Sequence, residues 1–358
     1  MQDILVIRFS SLGDLCLLAG SLARLSSGPD AGNRRVTLVT KAAFAPLMRQ
    51  AEGVDRVLPL ADSNWRTLKL LAGELESVSW DRIIDAHNTL RSHLLLGMMG
   101  LRPDIRLAKD TAARLAFMQF GKGSKRLEHT MSDRFDDLFR DLTLSDDSGP
   151  RLNPESGDGA CHAFPGKSES PETILGLAPG AQWDTKQWPE RFFAEVLTRF
   201  RQKSSAPVRI FLGPREERWF PGSGLEKAVA RLKGVQVFRG LPLVDIVGLI
   251  GDCSVLLTND SGLLHLAEAT GTPVLAIFGP TVREFGYFPH LATSRALESP
   301  LGCRPCSRNG KSPCHRDDLA CLASITPDEV LETVLAATAW TQPEHRPSIG
   351  SANPKEES

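Results

Sequence analysis

The sequence predicts an α/β protein of two Rossmann-like, doubly wound domains whose parallel sheets face a central cleft. Three observations predict it. The chain has 358 residues, too long for one ordinary domain and suited to two of roughly 100–200 residues each. Short β-branched runs alternate with longer amphipathic stretches, the pattern of βα units and a parallel sheet. That alternation breaks once, over 145–171, in a stretch rich in Gly, Ser, Pro and Asp, and then restarts. The expected organisation is a first domain over 1–150, a linker over 151–172, a second domain over 173–340 and a polar, disordered tail over 341–358.

In the first half, strands are expected at Ile4–Arg8, Val36–Thr40, Arg56–Leu60, Arg82–Asp85 and Ile105–Leu107. Helices are expected between them at Asp14–Leu25, Trp65–Val78, Thr89–Gly100 and Ser132–Asp141. Leu15, Leu18, Leu22 and Leu25 recur at helical spacing and mark a core face. In the second half, strands are expected at Ile174–Ala178, Val208–Leu212, Val235–Phe238, Val255–Thr258 and Val274–Phe278. The helices expected there are Pro189–Arg201, Arg215–Leu232, Pro242–Gly251 and Gly262–Thr270, with Pro189 and Pro242 suited to a first helical position.

Hydrophobic residues at 41% and charged residues at 24% let both domains bury a core. A formal net charge of −1 argues against a nucleic-acid partner, so any basic site must be local. No basic region precedes Ile4-Leu5-Val6-Ile7, and no stretch reaches the roughly 18 apolar residues needed to span a bilayer. A cytoplasmic location is expected, with the seven cysteines reduced or metal-bound rather than paired.

Four segments carry candidate chemistry. Arg8-Phe9-Ser10-Ser11-Leu12-Gly13-Asp14 leaves the first strand and enters the first helix, offering backbone N–H groups and a positive dipole end to an anion. It is not the G-x-G-x-x-G dinucleotide turn. Asp14 either caps that helix or faces the cleft. Pro179-Gly180-Ala181 through Lys186-Gln187-Trp188-Pro189 leaves the first strand of the second domain, and its single lysine either neutralises a phosphate or is solvated. Thr258-Asn259-Asp260-Ser261-Gly262 joins a buried strand to a helix that Asp260 or Ser261 can cap, with Gly262 allowing close approach of a ligand and His265 one turn in. Phe278-Gly279-Pro280-Thr281 makes a second turn at the same sheet edge.

Cys303, Cys306, Cys314 and Cys321 lie within about twenty residues and match a tetrathiolate site for structural Zn or Fe. Free thiols or a redox disulfide are the other readings. Cys16, Cys161 and Cys253 are expected to be isolated core or loop thiols. Arg102, Arg106, Lys109, Arg114, Lys122, Lys125 and Arg126 cluster in the first domain, either as a solvated face or to receive an anionic acceptor or phospholipid headgroup.

Taken together, these segments resemble the heptosyltransferases of lipopolysaccharide core synthesis, the ADP-heptose-dependent glycosyltransferases of family 9. The resemblance rests on Ile4 to Asp14, on Ile84-Asp85-Ala86-His87-Asn88-Thr89-Leu90-Arg91-Ser92, on the Gly180 to Pro189 segment, and on Asn259 to Ala267 with Gly271-Thr272-Pro273 and Phe278 to Thr281 following in order. It covers roughly residues 1–335. It implies a GT-B fold, with the acceptor on the first domain and the nucleotide sugar on the second, and inverting transfer without a catalytic metal. Asp14 would be the general base, its pKa raised toward neutrality by a closed cleft. Lys186, with the N–H groups of Ser261 and Gly262, would hold the diphosphate. Gly180, Asp260, His265, Gly279 and Thr281 would border the donor, Glu216 its ribose and Leu241 its adenine. Ser10, Ser11, Gly13, Asn88 and Arg91 would lie on the acceptor side. The partners implied are ADP-heptose and an anionic glycolipid or other glycan, with peripheral contact at the inner face of the inner membrane.

Two departures stand out. Ala181 and Gln182 replace hydroxyl residues common in the family, and the four cysteines occur only in some relatives, among them protein-modifying heptosyltransferases with cysteine-bound iron. Rival readings are a GT-B enzyme of other nucleotide-sugar specificity, including protein heptosylation or epimerisation, and a non-catalytic nucleotide- or metal-binding protein.

Overall fold

Near-continuous apolar runs form the strands, because both faces of a parallel sheet are covered. In the computed structural model, which describes residues 1–28, 31–62, 64–121, 123, 125–143 and 173–339, the first sheet holds β1 (Gln2–Ile7), β2 (Arg34–Lys41), β3 (Arg56–Leu60), β4 (Arg82–Asp85) and β5 (Ile105–Arg106) in the order β3-β2-β1-β4-β5. The second holds β6 (Leu175–Ala178), β7 (Val208–Leu212), β8 (Val235–Arg239), β9 (Val255–Asn259), β10 (Val274–Phe278) and β11 (Arg295–Glu298) in the order β11-β10-β9-β6-β7-β8. Every pairing is parallel, with Val6 opposite Leu38 on one side and Ile84 on the other.

The crossovers and outer layers are α1 (Leu12–Ser26), α2 (Ala45–Met48), α3 (Trp65–Glu76), α4 (Leu90–Met98), α5 (Thr111–Phe120), α6 (Met131–Asp136), α7 (Arg140–Thr143), α8 (Glu190–Lys203), α9 (Gly224–Arg231), α10 (Leu243–Gly251), α11 (Gly262–Ala269), α12 (Ala320–Ala323) and α13 (Pro327–Ala339). Each sheet reverses strand order once, between β1 and β4 and between β6 and β9. The crevice at the carboxyl ends of such a reversal is where open α/β sheets bind ligands. The chain leaves β1 toward Asp14, β4 toward His87, β6 toward Gly180 and β9 toward Asp260, so the sequence motifs gather at those two crevices.

Helix α1 joins the two halves. Leu15, Leu18, Leu22 and Leu25 are buried, as their spacing predicts, but so are Cys16, Leu17 and Ala19 on other faces. A helix that is apolar nearly all round must be covered all round, and α11 of the second half supplies the cover. Side chains of β1, α1, α10 and α11 form one contiguous apolar cluster. At the seam, a Cβ on Gly262 would stand 3.0–3.2 Å from the Leu12 side chain.

Several elements depart from expectation. The helix expected over Arg215–Leu232 is a 3₁₀ turn at Glu216–Arg218 followed by α9. Pro221 and Gly222, the latter at φ +79°, interrupt it. Pro189 and Pro242 sit one position earlier than expected, as N-caps. Helices α5 and α13 and the short strand β11 were not expected. The linker, the tail, Cys161 and Lys122 lie outside the described residues, as does the side chain of Arg126. Among the described residues, no helix is long and apolar enough to cross a membrane.

Candidate active site

A cavity of about 500 Å³ opens between the halves. Its first-half wall is the β1–α1 turn. Ser11 is the N-cap of α1, and Asp14 reaches back to accept from the Ser11 N–H at 3.0 Å and its hydroxyl at 2.7 Å. Arg8 Nη2 lies 2.7 Å from the same oxygen, Asp14 Oδ2, while Arg8 Nη1 donates to the Ala86 carbonyl at 2.6 Å. The carboxylate is thus both helix cap and cleft group. Burial pushes its pKa up, but the Arg8 charge and the Ser11 donors outweigh burial and hold it below the ordinary carboxylate range. The expected upward shift is corrected: burial is the largest single influence, but the Arg8 charge and the Ser11 donors together outweigh it. His87, on the same wall, is pushed down to about 4 by burial and by Arg8, so its ring is neutral at pH 7.

The second-half wall is the start of α11 and the Lys186 loop. Ser261 occupies the N-cap, but no side chain caps the helix, contrary to the role expected of Asp260 or Ser261. The first N–H groups are left for a ligand. Lys186 Nζ pairs with Asp260 Oδ2 at 2.6 Å, and the Thr281 hydroxyl donates to that oxygen at 2.6 Å. The lysine is therefore held in place rather than free. Asn259, fully buried, accepts from the Trp188 N–H at 3.0 Å and donates to the Pro179 carbonyl at 2.7 Å, which fastens the Lys186 loop to the end of β9. His265 is buried and held below its ordinary pKa by desolvation, with Nδ1 unpartnered among the described residues. Its ring lies on Gly13, where a Cβ would come within 2.5 Å of His265 Cδ2.

The cavity brings together Ser11, Gly13, Asp14, Lys186, Asp260, Ser261, Gly262, His265 and Thr281 from the expected set. Ser10, Gly180, Gly279, Glu216, Leu241, Asn88 and Arg91 do not line it. Glu216 instead accepts from the Gly213 N–H at 2.7 Å, and its carboxylate lies where a Cβ on Gly180 would be. Asn88 adopts φ +48° and spends its amide on the Leu107 carbonyl, and Arg91 lies over Phe9. Sequence reasoning named no site role for Arg8, His87 or Tyr287. Tyr287, the only tyrosine in the chain, donates to Asp14 Oδ1 at 3.0 Å from 273 residues away. The cavity lining holds Arg8, Lys109, Arg114, Lys186 and Arg308 against Asp14, Asp110 and Asp260, an excess of cations that suits an anionic ligand.

The four-cysteine segment borders this site. Thr185 donates to the Gly310 carbonyl, and a Cβ at Gly310 would collide with the aliphatic stem of Lys186. Cys303, Cys306 and Cys314 are half-buried and Cys321 is buried, all as free thiols. Burial and the neighbouring thiols push Cys306 up, and Cys321 up to about 11. The donor set suits a soft tetrahedral ion, yet among the described residues no three His, Cys, Asp or Glu side chains converge as metal ligands. The expected tetrathiolate shell is not formed. Cys16 and Cys253 are buried in the core, as expected.

Fold and site together define a two-sheet α/β protein with a cation-rich cavity between its halves. Residues 69–315 match glycosyltransferase family 9 (heptosyltransferase), and the chain belongs to that family; it is a glycosyltransferase. It is 28% identical over 324 residues to lipopolysaccharide heptosyltransferase 1 of Pseudomonas aeruginosa, covering 85% of each chain. The E. coli heptosyltransferase WaaC with ADP superposes with a TM-score of 0.67 at 20% identity, covering 95% of this chain and 99% of that one. This likeness places the two sheets in the GT-B arrangement. The iron-containing dodecameric heptosyltransferase TibC, of enterotoxigenic E. coli, superposes with a TM-score of 0.55 at 14% identity, covering 95% of this chain and 77% of that one.

Proposed function

We propose that the chain moves heptose from ADP-heptose to a lipopolysaccharide core or related glycan acceptor with inversion. One observation carries this reading: Asp14 from one half and the Lys186–α11 pair from the other line a single cavity. Asp14 takes the proton of the acceptor hydroxyl. Its low pKa keeps it ionised at physiological pH, and it collects the proton late, once the forming glycosidic bond has acidified the hydroxyl. Lys186 and the N–H groups of Ser261 and Gly262 hold the departing diphosphate, on which charge accumulates as the sugar becomes oxocarbenium-like. Asp260 keeps Lys186 aimed at the cavity before the donor arrives, so no reorganisation is needed during transfer. Positive charge here does the work that a catalytic metal does elsewhere.

The same reading extends to the surroundings. The first half binds acceptor and the second half donor. The enzyme works in the cytoplasm, touching the inner face of the inner membrane through α5 and its basic neighbours. Were Zn or Fe to bind, Cys303, Cys306, Cys314 and Cys321 would be the residues to hold it, as a structural clip. The test is turnover of a panel of nucleotide sugars on heptose-free lipopolysaccharide core, with Asp14→Asn alongside. Transfer is expected from ADP-heptose, falling about 10²–10⁴-fold in the variant while donor binding persists. Full activity in the variant would overturn the assigned base. Turnover confined to other nucleotide sugars, or epimerisation without acceptor, would overturn the donor assignment.

A further inference from the structure

The two oxygens of Asp14 are treated unequally. Oδ2 receives Arg8 Nη2 at 2.7 Å, the Ser11 N–H at 3.0 Å and the Ser11 hydroxyl at 2.7 Å. Oδ1 receives only the Tyr287 hydroxyl, at 3.0 Å, among the described residues. A carboxylate offers about four acceptor sites, so one position on Oδ1 is left unclaimed. Asp14 itself lines the cavity, as does Tyr287.

Tyr287 is held by both halves. Its loop is gripped from the first half where the Met131 N–H donates to the Gly286 carbonyl at 2.9 Å and Arg114 donates to the Phe285 carbonyl at 2.9 Å. It is anchored to the second half where Glu268 of α11 accepts from the N–H groups of His290 and Leu291 and pairs with His290 Nδ1 at 2.8 Å. The Arg114 guanidinium lies 5.3 Å from the Tyr287 ring centre and the His265 ring 5.9 Å from it. A phenol so packed has one direction in which to donate.

We infer that Tyr287 is a positioning residue for the base: by filling one site on Asp14 Oδ1 it leaves a single lone pair, aimed into the cleft, for the acceptor hydroxyl. The contact crosses between the halves, so the donor-binding half completes the base. Without the phenol, Oδ1 takes water in its place and the acceptor loses its unique approach. Removing a donor from a carboxylate also makes it easier to protonate, so the acid limb of the rate profile moves to higher pH. The other groups facing Asp14 are Arg8, His87, His265, Cys16 and, through the phenol, Arg114. Each keeps its place when only the Tyr287 oxygen is removed.

The inference rests on Asp14 being the base, and the experiment separates the two. Tyr287→Phe and Asp14→Asn are assayed with ADP-heptose and heptose-free lipopolysaccharide core, and the whole protein is labelled with 3-fluorotyrosine. Because the chain has one tyrosine, the fluorine spectrum reports on this site alone. The expected result for Tyr287→Phe is a roughly 10-fold lower kcat, an unchanged KM for ADP-heptose and an acid limb about one pH unit higher. Asp14→Asn should shift the fluorine resonance in otherwise native protein. A Phe variant with wild-type kcat and an unmoved acid limb, beside an inactive Asn variant, overturns the role of Tyr287 and leaves the base standing. An active Asn variant overturns the base, and this inference with it. An unaltered fluorine resonance in Asp14→Asn overturns the contact itself.

Discussion

At the scale of single residues, the site is built where side chains leave almost no room. Gly13 is required because the His265 ring occupies the space of a Cβ, 2.5 Å away at Cδ2. That ring is buried between Gly13 and Tyr287 and cannot swing aside. Gly13→Ala should therefore cost about 1–3 kcal/mol of stability, as overpacking does, seen as a lower melting midpoint together with reduced transfer; an unchanged midpoint would contradict the close approach. Asp14, Lys186 and Asp260 were legible in the sequence because each stands in a local strand-to-helix turn with a recognisable residue order. Tyr287 was not, because its partner is 273 residues distant and nothing local marks it. Asn88 does not line the cavity: with a left-handed backbone, it donates its amide to the carbonyl of Leu107, which does.

At the scale of elements, strands were easier to read than helices. β1, β9 and β10 are buried along most or all of their length, and such runs announce themselves. Helix α5 has no buried residue and so no core stripe to find, whereas α13 packs Val330, Leu331 and Val334 beside α8 in a stretch of the second domain for which no helix was named. The cysteine segment matters here because Gly310 leans on the Lys186 stem. Elemental analysis of purified protein is expected to give stoichiometric Zn or Fe, with Cys303→Ser and Cys306→Ser removing it and weakening donor binding. Metal-free protein of full stability and unaltered donor affinity would sink the clip. The Glu268–His290 clasp also has a pH signature. His290 is raised, since the Glu268 bond outweighs burial, and Glu268 is lowered, since its donors outweigh burial. The stability owed to His290 is complete below its unfolded pKa and is lost as pH rises through the raised folded value. The share owed to Glu268 is present above its unfolded pKa and is lost as pH falls through the lowered one. Glu268→Gln should flatten both edges of a melting-midpoint profile.

At the scale of the whole molecule, α5 is an element that leaves large apolar side chains in solvent. Leu115 and Phe120 on α5 are 52% and 70% exposed, and Arg102, Arg106, Lys109 and Lys125 flank α5 in the sequence. Basic side chains near an anionic bilayer contribute about 1 kcal/mol each, and the two apolar groups add insertion. Co-sedimentation with phosphatidylglycerol vesicles is expected at low salt, weakening as salt rises and in Leu115→Ser/Phe120→Ser. Equal binding to neutral vesicles, or none to either, would remove the membrane contact.

Helices α1 and α11 begin side by side at the cavity and stay in contact along an apolar seam. Each start carries roughly half a positive charge. A cleft that draws in an anion this way also holds it strongly once it is there. Leu12 and Gly262, packed together where the two starts meet, both line the cavity, so an anion held there lies against both halves at once.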